Sequence, residues 1–262
     1  MASFTARYQR GEREQVWTEL RRLQATVRNE RYFEDALAVA LETMQRARRN
    51  VETLIERLNE GGYEFEEALS LPLSPPEKHP GLLKHIEHDF WTLGLSARAW
   101  IEVVGEVNLS GTHPDWQDVN LTGNALVIMF DDRTEFMGNM SQTYESSAEL
   151  FIESESIDVK LSEEIIQVDS FDEMPQQIRR IYVGRDLWYQ CLDGVGWTVR
   201  RHEVLVPDRS ADATIDLETS RTFFVDYLRS IFKWGGFPNF QHFGYQPHDE
   251  PIRTLAKDLL PI

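Results

Sequence analysis

The stretch Leu93-Gly-Leu-Ser-Ala-Arg-Ala-Trp-Ile-Glu-Val-Val-Gly-Glu-Val-Asn-Leu-Ser-Gly-Thr-His-Pro-Asp-Trp116 packs a helix start, a short apolar helix, a glycine stop and a turn into one run. Ser96 suits the N-cap, because its hydroxyl can accept from the free backbone N–H groups of the next turn. Ala99, Trp100, Val103 and Val104 then recur on one helical face. Gly105 is expected to end the helix in the left-handed conformation that other residues resist. Nothing in the run is a catalytic constellation.

Upstream, Val16, Leu20, Leu23 and Val27 recur at spacings of four and three and predict an amphipathic helix from Arg13 to Arg28. Asn29 can cap a second helix, whose stripe runs through Phe33, Leu37, Ala40, Met44, Ala47, Val51, Leu54 and Leu58 before Gly61 and Gly62. So long a stripe cannot face water. It predicts an antiparallel hairpin over residues 1–62, or packing on the following domain, or a homo-oligomer formed through these helices. The proline-rich segment between Tyr63 and Pro80 reads as a connector, and Leu82, Leu83, Ile86 and Phe90 mark a short helix after it.

Downstream of Trp116 the pattern turns extended. Ala125 to Phe130 suits a strand covered on both faces, and Ala148–Ile152 and Ile165–Val168 are weaker strands in acidic surroundings. Leu187–Leu192 and Trp197–Val206 flank the turn Asp193-Gly-Val-Gly196 and read as a hairpin. Ser220 to Phe232 is the last long helix, with Phe224, Tyr227, Leu228 and Ile231 on its apolar side, and Pro251–Leu259 predicts a short closing helix.

Leu-Gly-Leu at Leu93, Arg98 and Trp100 on the helix, Val-Gly-Glu-Val-Asn and Gly-Thr-His-Pro-Asp-Trp together resemble the SUKH superfamily, named after yeast cell-wall-synthesis regulators and their bacterial relatives. Ala211-Asp-Ala213, Phe223-Phe-Val-Asp-Tyr-Leu-Arg229, Trp234-Gly-Gly-Phe-Pro238 and the closing Leu-Leu-Pro-Ile are similar to the carboxy-terminal half of bacterial members. The resemblance covers residues 63–262. It implies an α+β domain over that range, with helices packed on a central mixed or antiparallel sheet and the helical hairpin in front. It also implies the frequent role of the bacterial relatives as immunity proteins that neutralise toxins, many of them nucleases.

Charge points in a compatible direction. The 262 residues carry a net −17, unevenly spread. Residues 1–60 hold 11 Arg and 10 acidic side chains, whereas residues 131–173 hold 13 acidic against 2 basic, a balance of −11. An acidic surface repels phosphate backbones and steers basic partners, so direct nucleic-acid binding is not expected and a basic protein partner is. The candidate contact residues are Glu153, Glu155, Asp158, Glu163, Glu164, Asp172 and Glu173.

Other chemistry is weaker. His113-Pro-Asp-Trp116 presents a histidine, a carboxylate and an indole on a stiffened turn; with Arg98 and Trp100 it forms a candidate pocket, or else it closes one end of the sheet. A small-molecule or metal-dependent enzyme using His113 and Asp115 is the alternative function. His85 and His88 are spaced three apart, not the four of metallohydrolase motifs, and His242 and His248-Asp249-Glu250 fall near prolines and glycines, so no metal and no cofactor is expected. Trp234 and Phe237 read either as core caps or as partner anchors. Cys191, the single cysteine, reads as an inert strand thiol and precludes a disulfide within the chain. With no apolar run near 18 residues and no signal-peptide pattern at the start, the expected location is cytoplasmic, with no membrane partner.

Overall fold

The computed structural model describes residues 2–65, 72–76, 83, 92–116, 126–128, 148–153, 156–161, 164–168, 180–188, 198–205, 208–217 and 220–262, over which the fold is α+β. Helix α1 (Phe4–Gln9) is followed by α2 (Arg13–Leu23), a 3₁₀ turn (Gln24–Arg28) and α3 (Glu30–Glu60). The stripe from Ala40 to Leu58 on α3 is buried as its spacing requires, with Phe33 and Leu37 half-buried at its start. Val16, Trp17 and Leu20 of α2 are buried in the same core, and the Trp17 indole N–H donates to Thr43 Oγ1 of α3 at 3.2 Å.

α1 has no periodic signature because it is six residues long and is held from a distance. Ser3 Oγ accepts from Ala6 N at 3.2 Å, and the Asp35 carboxylate of α3 accepts from Phe4 N, Thr5 N and Thr5 Oγ1 at 2.6, 3.0 and 2.7 Å. A carboxylate at a helix N-terminus satisfies free N–H groups and meets the positive end of the helix dipole.

α4 (Leu95–Val103) is the helix of the Leu93–Trp116 stretch, and its entry differs from the expected one. Gly94 is the N-cap; Ser96 lies inside the helix, and its hydroxyl accepts from Ala213 N at 2.8 Å. The local capping preference loses to a tertiary partner, because Leu95 N and Ser96 N are themselves satisfied by the carbonyls of Ser210 and Ala211 at 3.1 and 3.0 Å. Gly94 permits this approach: a Cβ there would stand 2.8 Å from Ala213 Cα. Gly105 ends the helix at φ +85°, where a Cβ would meet the Ser74 carbonyl oxygen at 2.2 Å.

The strands are short, and every pairing among the described residues is antiparallel. β1 (Glu64–Phe65), β2 (Leu73–Ser74), β3 (Glu106–Asn108), β4 (Gly111–Thr112) and β5 (Val127–Ile128) give a β1–β4 pair and a β2–β3–β5 sheet. Leu126 and Ile128 are buried. β6 (Ala148–Glu153), β7 (Ser156–Leu161) and β8 (Glu164–Val168) form a meander. β9 (Arg180–Trp188), β10 (Thr198–Leu205), β11 (Thr214–Asp216) and β12 (Arg221–Phe223) form a four-stranded sheet in the order β12–β11–β10–β9. The described strands thus divide among four antiparallel sheets rather than one central sheet. The expected turn at 193–196, the short helix around Leu82 to Phe90 (apart from Leu83), and Cys191 lie outside the described residues.

α5 (Phe224–Lys233) starts four residues later than its sequence pattern suggests, because Arg221–Phe223 pair with β11 first. A 3₁₀ turn (Pro238–Phe243) and α6 (Ile252–Ala256) complete the chain. One apolar core runs through both the amino-terminal helices and the residues after 62. α3 is tied to the rest by polar contacts too: Arg48 Nη1 to Val103 O at 3.0 Å, Arg57 Nη1 to Leu255 O at 2.6 Å, and Asn50 bonded both ways to the Leu260 backbone at 2.9 and 2.6 Å. The apolar stripe on which self-association would rest is covered by the chain's own elements.

Candidate functional site

Trp116 stands at the centre of an aromatic group. Its ring lies 5.6 Å from Tyr63, 5.6 Å from Phe237 and 5.5 Å from Phe240, edge-on to the two phenylalanines. His113 stacks on its outer side at 4.4 Å with planes 15° apart. The stiff Pro114 turn folds Asp115 N–H back to donate to His113 Nδ1 at 3.0 Å, which places the proton of the neutral ring on Nε2. Asp115 itself is exposed. Tyr63 anchors the group by donating from its hydroxyl to Leu109 O at 2.9 Å.

The other two candidate pocket residues are elsewhere. Trp100 is fully buried in the core, packed edge-on to Phe224 at 5.6 Å, and its indole N–H closes the end of α4 by donating to Gly105 O at 2.8 Å. Arg98 is half-buried on α4, 3.9 Å from Glu102 one turn on. The pattern that suggested one pocket therefore resolves into a helix face and a turn with different ring partners. Phe237 is buried and Trp234 half-buried, as core caps would be. His248 is exposed, and its neighbours Asp249 and Glu250 serve local bonds, Asp249 to Gln246 N at 2.8 Å and Glu250 to Thr254 Oγ1 at 2.7 Å. His242 falls in the 3₁₀ turn. Among the described residues no three His, Cys, Asp or Glu side chains gather as a metal site.

Of the acidic candidates, Glu153, Asp158 and Glu164 lie in the β6–β8 meander, and Glu155, Glu163, Asp172 and Glu173 lie outside the described residues. Register places Glu153 opposite Ser156, and Asp158 opposite Phe151 and Gln167. Since positions two apart share a face, Glu153 and Asp158 occupy the same face of the meander. Glu164, opposite Leu161, belongs to the other face.

A polar centre that the motif reading passed over joins the two ends of the chain. Asp212 is completely buried, and its Oδ2 accepts from Arg21 Nε and Nη2 at 2.9 and 2.7 Å while Oδ1 accepts from Val225 N at 3.1 Å. Arg21 Nη1 also meets Asp226 at 2.8 Å, and its guanidinium lies 4.4 Å over the Phe223 ring. Burial pushes the Asp212 carboxyl up, to about 6, against the pull of Arg21 and Ser96. Burial also works against the Arg21 charge, but Asp212 and Asp226 outweigh it and its pKa rises. The available signal was Asp212 itself, a lone carboxylate between two alanines, a setting that calls for a buried cation partner. Among the described residues, no helix is long and apolar enough to cross a membrane.

No family model, no curated protein and no solved structure matches this chain.

Proposed function

We propose that the chain is a non-catalytic protein-binding module whose acidic segment docks a basic protein, in the manner of an immunity protein occupying the cationic cleft of a nuclease toxin. The observation that carries this reading is the segregation of charge: the balance of −11 within residues 131–173, against nearly neutral residues 1–60. The register of the meander built from part of that segment puts Glu153 and Asp158 at positions of one face, and the acidic balance of the segment favours a cationic partner. Such a surface raises the association rate and favours cationic partners without any bond being broken.

The SUKH resemblance supports the same reading. The two stretches that carry it meet in the fold, with α4 seated by three hydrogen bonds on Ser210–Ala213. Against an enzyme built on His113 and Asp115, the turn they share is engaged in covering Trp116, the arrangement of a structural edge. The cytoplasm, where nuclease substrates lie, is the compartment this function would need.

The experiment is affinity capture from host lysate at about 50 mM and about 500 mM salt, where screening shortens the Debye length severalfold. It uses the wild-type chain and the Glu153→Lys/Asp158→Lys variant in parallel. The expected result is a basic protein retained at low salt, released at high salt and not retained by the variant. Recovery of no basic protein, or recovery indifferent to both salt and charge reversal, contradicts the reading.

A further inference from the structure

Far from the acidic segment in sequence, the start of α2, the end of α5 and residues 259–262 border an open cleft of about 550 Å³. This volume falls within the ~300–1,000 Å³ range of small-molecule sites. Its charge is opposite to that of the molecule. Arg13, Arg229 and Lys233 line it with one carboxylate, Glu14, and a second, Asp226, pairs with Arg229, which leaves the cleft cationic in a chain whose net charge is −17. The N-terminal turn of α2, an 11-residue helix, adds the positive end of its dipole.

The two arginines are held in place yet incompletely used. Arg229 Nε donates to Ile262 O and Nη1 to Asp226 Oδ1, both at 2.8 Å, while Nη2 is buried without an acceptor. Arg13 lies 5.6 Å over the Tyr8 ring, and its Nε is likewise buried without an acceptor. A buried guanidinium N–H that lacks an acceptor is costly, so both arginines keep donor capacity beside the cleft that their residues line. The rest of the wall is apolar, with Phe232, Leu259 and Pro261 available to an organic group.

We infer that this cleft binds a small organic phosphate, its phosphoryl oxygens received by Arg13, Arg229 and Lys233 at the α2 N-terminus and its organic part laid on the apolar wall. Planar guanidinium forks match phosphate geometry, and a helix N-terminus favours the same charge. None of the described lining residues belongs to the acidic segment, so failure of this site would leave the protein-binding reading standing.

The test is calorimetric titration of the full chain with phenyl phosphate, inorganic phosphate and benzoate. Saturable binding of phenyl phosphate is expected, with inorganic phosphate weaker for want of the apolar contact and benzoate weaker for want of a third oxygen. Lys233→Glu, a substitution at an exposed position, and Arg13→Gln should each weaken phenyl phosphate about tenfold, as loss of one charge-assisted contact implies. Circular dichroism checks that both variants are folded before their affinities are compared. No saturable phenyl phosphate binding to the wild type, or binding unaffected by Lys233→Glu in the folded variant, overturns the inference. Benzoate binding as tightly as phenyl phosphate would overturn the assignment to phosphate.

Discussion

Arg21 reaches 191 positions along the chain to place Nε and Nη2 on the same oxygen of Asp212, at 2.9 and 2.7 Å. The pair fastens α2 to the loop on which α4 is seated, so the amino-terminal helices and the Leu93–Trp116 stretch share one polar joint. Removing one partner of a buried pair strands the other charge and typically costs about 3–5 kcal/mol. Asp212→Ala should therefore lower stability in urea by about 3 kcal/mol or more. Arg21→Met, with Asp212 able to take up a proton, should cost less at pH 5 than at pH 8. Equal losses at both pH values would show that Asp212 is not buried as described.

The pH dependence has a definite sign. The folded-state pKa of Asp212, about 6, exceeds its unfolded value of 3.8, so the folded state binds the proton more readily. Its contribution to stability is fully present below pH 4 and is lost as pH rises through 6. Glu12, Glu19 and Asp226 are shifted downward and act in the opposite sense, losing their contribution as pH falls below the usual carboxylate range. The Asp212 component is isolated by comparing melting temperatures of the wild type and Asp212→Asn. The advantage of the wild type should grow as pH falls from 7 to 4.5. A constant or shrinking difference contradicts the assignment.

Gly105 and Gly94 make a sharper steric prediction. Gly105→Ala places a methyl group 2.2 Å from a carbonyl oxygen at positive φ, and should cost about 3 kcal/mol or prevent folding. Gly94→Ala meets the Ala213 backbone and should cost a similar amount. Gly62→Ala, also at positive φ but with nothing within 4 Å, should cost only about 1 kcal/mol. Chemical denaturation of the three variants checks this order, and a Gly105→Ala protein as stable as Gly62→Ala would contradict the packing of α4 against residue 74.

The His113 turn is predicted to be structural. Trp116→Ala removes a ring packed on three aromatic neighbours and should cost about 3 kcal/mol, whereas His113→Ala, on the outer side, should cost about 1 kcal/mol or less. His113→Ala should also leave partner capture unchanged. If His113→Ala abolished capture while its melting temperature stayed at the wild-type value, the turn would belong to the contact surface.

Much of the helical framework could be read from spacing alone, because the α3 stripe is a local pattern and burial followed it from Ala40 to Leu58. What escaped depends on distant partners. α1 rests on Asp35, about 30 residues away, and Ser96, whose sequence setting suits a cap, is drawn inside α4 by Ala213, 117 residues away. The site was harder to read than the fold. Arg98 and Trp100 sit close in sequence to His113, but a helix carries Trp100 into the core while the following strands carry His113 to the rim of another aromatic group. Asp212 carried no motif, since its partner Arg21 is separated from it by most of the chain.

The measurement closest to the central claim is the salt dependence of binding to a purified basic partner, with Glu153→Lys/Asp158→Lys as the reversed-charge control. The account predicts that affinity for the wild type falls steeply between about 50 and 500 mM salt and that the reversed chain, equally stable, binds at least about tenfold more weakly. Affinity that is flat with salt and identical for the two chains would contradict it.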